Sequence, residues 1–187
     1  MKENKINRAQ QHFINALLEL MEKKPFEEIT VSELAMKAEY DRRTYYRYFN
    51  TMTDILRLYC TQILQEMNQM IMQGGKLTLN SGITSYYYFW KKYQFFLERL
   101  DQNGLLGYLE EEHDHLLYEA VGKVVQPEIP EEIENAPALS RYAYFFTTGG
   151  LWNILVWWCR EGMKESPEAL CSYIIACLKG LSETEDE

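Results

Sequence analysis

Cysteine is scarce in this 187-residue chain, and its four thiols are spaced for neither disulfides nor metal. Cys60 stands far from Cys159, Cys171 and Cys177, and no two form a CxxC pair. Free thiols in a reducing, cytoplasmic setting are expected. An apolar leader is missing as well. MKENKINRAQQHF carries charges and no hydrophobic stretch, so it does not read as a signal peptide. No run alternates apolar and polar residues as a half-buried strand does. Catalytic signatures are also absent. There is no HExxH, no glycine-rich phosphate loop and no nucleophile–base pairing, so neither an enzyme nor a bound cofactor is expected.

Basic charge is in deficit, with a net charge of -9. The deficit is uneven. Residues 1–60 hold ten Lys and Arg against nine Asp and Glu, whereas residues 61–187 hold nine against nineteen. Any anion-binding surface belongs near the N-terminus, and the remainder reads as a solvated acidic body.

One uncharged run, Tyr142 to Cys159, is flanked by Arg141 and Arg160. Its length, about 18 residues, is the lower edge of a membrane span. Thr147, Thr148, Gly149, Gly150 and Asn153 weaken that reading, and a largely buried helix with no membrane partner is expected instead.

Helical periodicity fills most of the chain. A first helix is expected over about Ile6–Glu22, with Ala9, Phe13, Ala16, Leu17 and Leu20 on one face, ended by Lys23-Lys24-Pro25. Thr30-Val31-Ser32-Glu33 is a capping box opening a second helix. Asp41 is a good N-cap for a third, Arg42 to Phe49, and Thr51-Met52-Thr53-Asp54 opens a long fourth that stops at Gly74-Gly75. Aromatic-rich helices are expected over about 83–100 and 138–161, the second closed by Gly162. Gln126–Pro137 reads as a loop, and Ser166-Pro167-Glu168 starts the last helix. The fold class is all-α, about nine helices. The expected domains are residues 1–52, a three-helix unit with a helix-turn-helix, and residues 53–187, a helical ligand-binding and dimerisation unit.

Within the acidic chain, YDRRTYYRYFN (residues 40–50) concentrates three arginines and four tyrosines. At about 100° per residue, Arg42, Arg43, Tyr46 and Arg47 share one face, while Tyr45, Tyr48 and Phe49 face the other way. The outward face suits DNA, because arginine grips guanine edges or phosphate and a phenol holds a phosphate oxygen. A surface arginine cluster paired with Glu39 and Asp41 satisfies the same spacing.

Ile29 to Leu56, ITVSELAMKAEYDRRTYYRYFNTMTDIL, resembles the helix-turn-helix of the tetracycline-repressor (TetR) family of bacterial transcription regulators. The likeness is closest over Thr44-Tyr45-Tyr46-Arg47-Tyr48-Phe49. Tyr144 to Leu170 resembles a TetR-type C-terminal domain common in Gram-positive bacteria. The resemblance implies that Arg42, Arg43 and Thr44 read bases, and that Tyr46, Tyr48 and Thr30 contact phosphate. Two positions depart from the pattern: Glu39 replaces the turn glycine, and Met52 replaces a lysine that opens the fourth helix.

The resemblance also implies a small-molecule effector, a homodimer and a near-palindromic double-stranded operator. Eighteen of the 26 aromatics lie beyond residue 60, and Tyr87, Trp90 and Trp152 are candidate pocket residues, although filling a core explains most aromatics equally well. Phe145, Gly149 and Val156, with Leu170, Ile174 and Cys177, lie at helical spacing and are expected to form a four-helix interface between two copies. The long helix after Thr53 would be the lever between effector and DNA. A co-regulator or activator of the same fold, working through a protein partner, is the alternative. Glu110-Glu111-Glu112-His113-Asp114-His115 offers metal-ligand types, but a run this charged reads as solvated.

Overall fold

The computed structural model describes residues 7–73, 78–110, 113 and 139–182, and all regular structure among them is helical. The elements are α1 (Arg8–Met21), a 3-10 turn (Phe26–Glu28), α2 (Val31–Lys37), α3 (Arg42–Tyr48), α4 (Met52–Gln73), α5 (Leu79–Lys92), α6 (Gln94–Gln102), α7 (Leu139–Arg160) and α8 (Pro167–Ser182). Residues 106–110 are helical as well. The expected loop at 126–137 and the Gly74-Gly75 stop lie outside the described residues.

The chain divides into two compact units, residues 1–65 with 99–112, and residues 66–98 with 113–187. The 52/53 boundary expected from sequence falls at the start of α4, whereas the first unit takes in that helix as far as Gln65.

In the first unit, α1 starts at an unforeseen capping box. The Asn7 side chain accepts the Gln10 N–H at 3.0 Å, and the Gln10 side chain accepts the Asn7 N–H at 3.0 Å. Its buried face is Ala9, Phe13, Ile14, Ala16, Leu17 and Met21. Leu20, expected on that face, is half-buried, because the helix ends one residue later and Met21 takes the inward place. Phe13 is the hub, with ring centroids 5.6 Å from Tyr40, 5.8 Å from Tyr45 and 5.8 Å from Phe49. Phe13 and Tyr45 are almost wholly removed from water, and each such aromatic contributes several kcal/mol by order of magnitude. Residues 99–110 join this unit through Asn103, whose Oδ1 accepts the Phe26 N–H at 2.7 Å and whose Nδ2 donates to the Arg99 carbonyl at 2.8 Å.

In the second unit, α5 packs against α8. Tyr86, Tyr87, Phe89 and Trp90 of α5 are buried, with Trp152, Leu155 and Trp158 of α7. Tyr88, on the opposite face, donates to the Glu168 carboxylate at the start of α8. Gly162 closes α7 as expected: it takes φ 78, and the Met163 N–H bonds to the Trp158 carbonyl at 2.8 Å.

Candidate nucleic-acid interface

The reading element is built from α2, a turn and α3. The Thr30 hydroxyl oxygen accepts the Glu33 N–H at 3.2 Å, and Glu33 Oε2 accepts the Thr30 N–H at 3.0 Å, the reciprocal box expected from sequence. Lys24, absent from any local motif, completes it with Nζ 2.7 Å and 2.8 Å from the two Glu33 oxygens. These donors, Lys24 first and Thr30 next, hold the Glu33 carboxyl down to about 2. Thr30 is exposed, as a phosphate contact requires, and its hydroxyl proton points to Glu33 at 2.8 Å. Lys37 of α2 pairs with Glu19 of α1 at 2.5 Å, fixing one helix on the other.

The turn is made without glycine. Glu39 adopts φ 61, a left-handed conformation costly for any residue with a Cβ. The Glu39 N–H bonds to the Met36 carbonyl at 3.2 Å and the Tyr40 N–H to the Ala35 carbonyl at 2.9 Å. This pair is the Schellman end of a helix, in which glycine usually fills the place of Glu39. Tyr40 repays the strain by packing on Phe13 and on His12, at 5.6 Å and 5.7 Å.

Asp41 then caps α3, its Oδ1 accepting the Thr44 N–H at 2.6 Å. That bond, with help from the Thr44 hydroxyl and the charges of Arg43 and Arg47, holds its carboxyl below the usual range. Along α3 the inward residue is Tyr45, 1% exposed, and burial pushes its phenol up to about 12. Arg42, Arg43, Tyr46 and Arg47 are exposed and Thr44 half-exposed.

Tyr48 differs from the helical-wheel expectation. It is half-exposed, its hydroxyl accepts from Arg47 Nη2 at 3.3 Å, and the guanidinium lies 4.8 Å from its ring centre. The helix stops at Tyr48, and Phe49, with φ -137 and ψ 137, turns its ring inward from extended backbone. A wheel continued through Phe49 therefore misplaces Tyr48, whereas Phe49 is buried as expected, from extended backbone. Among the described residues, no ion pair joins Arg42, Arg43 or Arg47 to Glu39 or Asp41. Met52, standing at the lysine position, is half-buried at the first residue of α4. Asp54 caps that helix by accepting the Thr51 and Asn50 N–H groups at 2.8 Å and 2.9 Å, and the Thr51 bond is the main cause holding its carboxyl below the usual range.

In the second unit, Trp90 and Trp152 come together around His113, with ring centroids 5.9 Å and 4.9 Å from the imidazole. The Tyr86 hydroxyl lies 2.9 Å from His113 Nε2. Burial pushes this imidazole down to about 3, so it is neutral. Tyr87 turns elsewhere, its ring 5.7 Å from Trp158 and its hydroxyl donating to the Leu151 carbonyl at 3.3 Å. Of the charged run at 110–115, Glu110 is exposed and His113 buried, and the other four residues lie outside the described ones.

The side chain of Phe145 is also outside the described residues. Gly149, Val156, Leu170 and Ile174 are half-exposed and Cys177 is exposed. The most exposed aromatics nearby are Tyr142, Phe146 and Trp157 on α7 and Tyr173 on α8, at 69%, 69%, 66% and 60%. Tyr142, Phe146, Gly150, Asn153 and Trp157 follow each other at helical spacing, a ridge one step round α7 from Phe145, Gly149 and Val156. Sequence alone did not find this register, because the run has no charged side chain to mark its solvent face and large aromatics on every side.

Residues 13–58 match the model of the bacterial regulatory proteins of the tetR family. No curated protein matches the chain. Its fold is similar to three solved structures. The first is a dihydroxyacetone kinase operon activator, DhaS (TM-score 0.61, 16% identity, 93% of this chain and 96% of that one). The second is the fatty acid degradation regulator FadR from Bacillus halodurans (0.60, 18%, 91% and 94%). The third is the transcriptional regulator FadR from Bacillus subtilis in complex with stearoyl-CoA (0.54, 18%, 90% and 96%). No helix among the described residues is long and apolar enough to cross a membrane.

Proposed function

We propose, from the match of residues 13–58 to the bacterial regulatory proteins of the tetR family, that this chain is a dimeric, cytoplasmic, DNA-binding transcriptional repressor released by a small-molecule effector. The observation that carries the DNA contact is the exposed, cationic face of α3. Arg42, Arg43 and Arg47 project from a helix anchored by Tyr45, and among the described residues none of the three forms an ion pair with Glu39 or Asp41. In this reading Arg42, Arg43 and Thr44 meet base edges. Tyr46, the Arg47–Tyr48 pair and Thr30 meet phosphates.

A second copy follows from geometry and from exposed apolar surface. One α3 reads only half a site, and paired half-sites lie about 34–36 Å apart on one face of DNA. The ridge on α7, with Tyr173, Ile174 and Cys177 of α8, offers a second copy an apolar surface of the kind that marks an interface. Each operator half-site then meets one subunit, which makes the operator near-palindromic.

Release requires an effector that prefers a conformation in which the two α3 helices are wrongly spaced, since only differential affinity shifts an equilibrium. The uncharged aromatic core containing Trp90 and Trp152 is where such a molecule would enter the second unit. One structural neighbour is in complex with stearoyl-CoA, so long-chain acyl-CoA is the first effector to try. The activator named in another neighbour's title favours a second reading, an activator of the same fold.

Selection of bound sequences from a random duplex library tests the proposal. Wild-type protein should enrich a two-fold symmetric site, and Arg43→Ala should lose one defined position in each half. Stearoyl-CoA should release the site if the acyl-CoA reading holds. A folded, dimeric protein that enriches nothing at low salt would refute DNA reading by this chain.

A further inference from the structure

We propose that Asp41 reads a cytosine in each half-site, beside the bases read by Arg42 and Arg43. The inference rests on the DNA-reading proposal above and adds a residue to it. The N-terminal residues of a recognition helix are the ones that reach base edges. Asp41 directly precedes Arg42 and is exposed.

A carboxylate there has a cost. Brought up to DNA, it meets a lattice of phosphates of its own sign. Capping α3 does not require that charge, because serine, threonine or asparagine accepts the same N–H about as well. Arg43 and Arg47 favour that charge through space, but neither bonds to it. The hydrogen bonds it accepts come from Thr44, and no ion pair among the described residues ties it to an arginine. A carboxylate has about four acceptor sites, so acceptor capacity remains toward solvent.

The major groove offers two base donors, the amino groups of cytosine and adenine. Adenine N6 sits beside the N7 acceptor, whose lone pair repels a carboxylate. Cytosine N4 has one acceptor beside it, O6 of the paired guanine, whereas adenine N6 stands between two, its own N7 and thymine O4. A carboxylate therefore prefers cytosine; adenine sets its donor between two acceptors, and guanine and thymine offer Asp41 no donor at all. The short bond to Thr44 restricts the side chain to one rotamer, so its remaining oxygen samples one position of the half-site.

The test is library selection with wild type, Asp41→Asn and Asp41→Ser, all good helix caps. The wild-type half-site should show cytosine over any other base by about tenfold at one position. Asp41→Asn should move that position to adenine, which asparagine bonds at N6 and N7, and leave the rest of the motif intact. Asp41→Ser should flatten that position alone. If all three proteins yield one motif and differ only in affinity or salt sensitivity, Asp41 is a cap and the proposal is overturned while DNA reading stands. If folded wild-type dimer enriches nothing, DNA reading fails and the role of Asp41 falls with it.

Discussion

Glu39 carries the clearest strain in the first unit. With φ 61 at the Schellman position, its Cβ crowds the backbone that glycine would leave open. Glu39→Gly removes that strain and adds some freedom to the unfolded chain. The strain is the larger effect, so a gain of about 1 kcal/mol in unfolding free energy is expected from urea titration. His113 sets a second residue-scale expectation, this one in pH. Its folded-state value, about 3, lies below its ordinary 6.5, so the unfolded chain takes up the proton first. The contribution is complete above about pH 6.5 and is lost as pH falls toward 3. Between pH 7 and pH 5 the wild type should lose about 2 kcal/mol more than His113→Gln, which stays neutral and keeps an acceptor for the Tyr86 hydroxyl. Equal losses in the two proteins would show that His113 is not the group responsible.

At the scale of elements, α7 and α8 leave large aromatics in water. Each of Tyr142, Phe146, Trp157 and Tyr173 is more than half exposed, and a ridge of that size on helical surfaces ordinarily has a partner. A Cβ added at Gly149 or Gly150 would meet nothing within 4 Å in the same chain, so neither glycine is needed for packing within one copy. Trp157→Glu places a charge on the proposed contact. It should turn a dimer into a monomer by sedimentation at micromolar concentration, with the helical signal unchanged, since this side chain packs on little of its own chain. A dimer that survives Trp157→Glu would move the interface elsewhere.

The whole molecule is acidic, with a sequence pI near 5.0, yet the exposed face of α3 proposed to read DNA is cationic. Non-specific attraction to DNA is therefore weak away from α3, and affinity depends on a few arginines and on salt. In the proposed dimer two Arg47 side chains would meet phosphate, so Arg47→Ala should lower the log–log salt slope by about two and leave the selected motif unchanged. A changed motif would place Arg47 on a base instead.

The sequence by itself determined the helices of the first unit, their caps and the exposed arginine face of α3. These rest on interactions within a few residues: the Thr30–Glu33 box, the Asp41 cap and the Arg42, Arg43 and Arg47 spacing all appear where local chemistry puts them. Local rules failed where distance along the chain hides a contact. Lys24 reaches Glu33 nine residues away, Asn103 holds Phe26 across 77, and Tyr86 meets His113 across 27. The same limit governed the second unit. Tyr87, Trp90 and Trp152 looked alike as aromatics on apolar helices, and only packing separated Tyr87 from the pair around His113. In α7 the uncharged run had no charged face to orient it, so the exposed ridge was decided by the packing of Trp152 on His113 and of Trp158 on Tyr87.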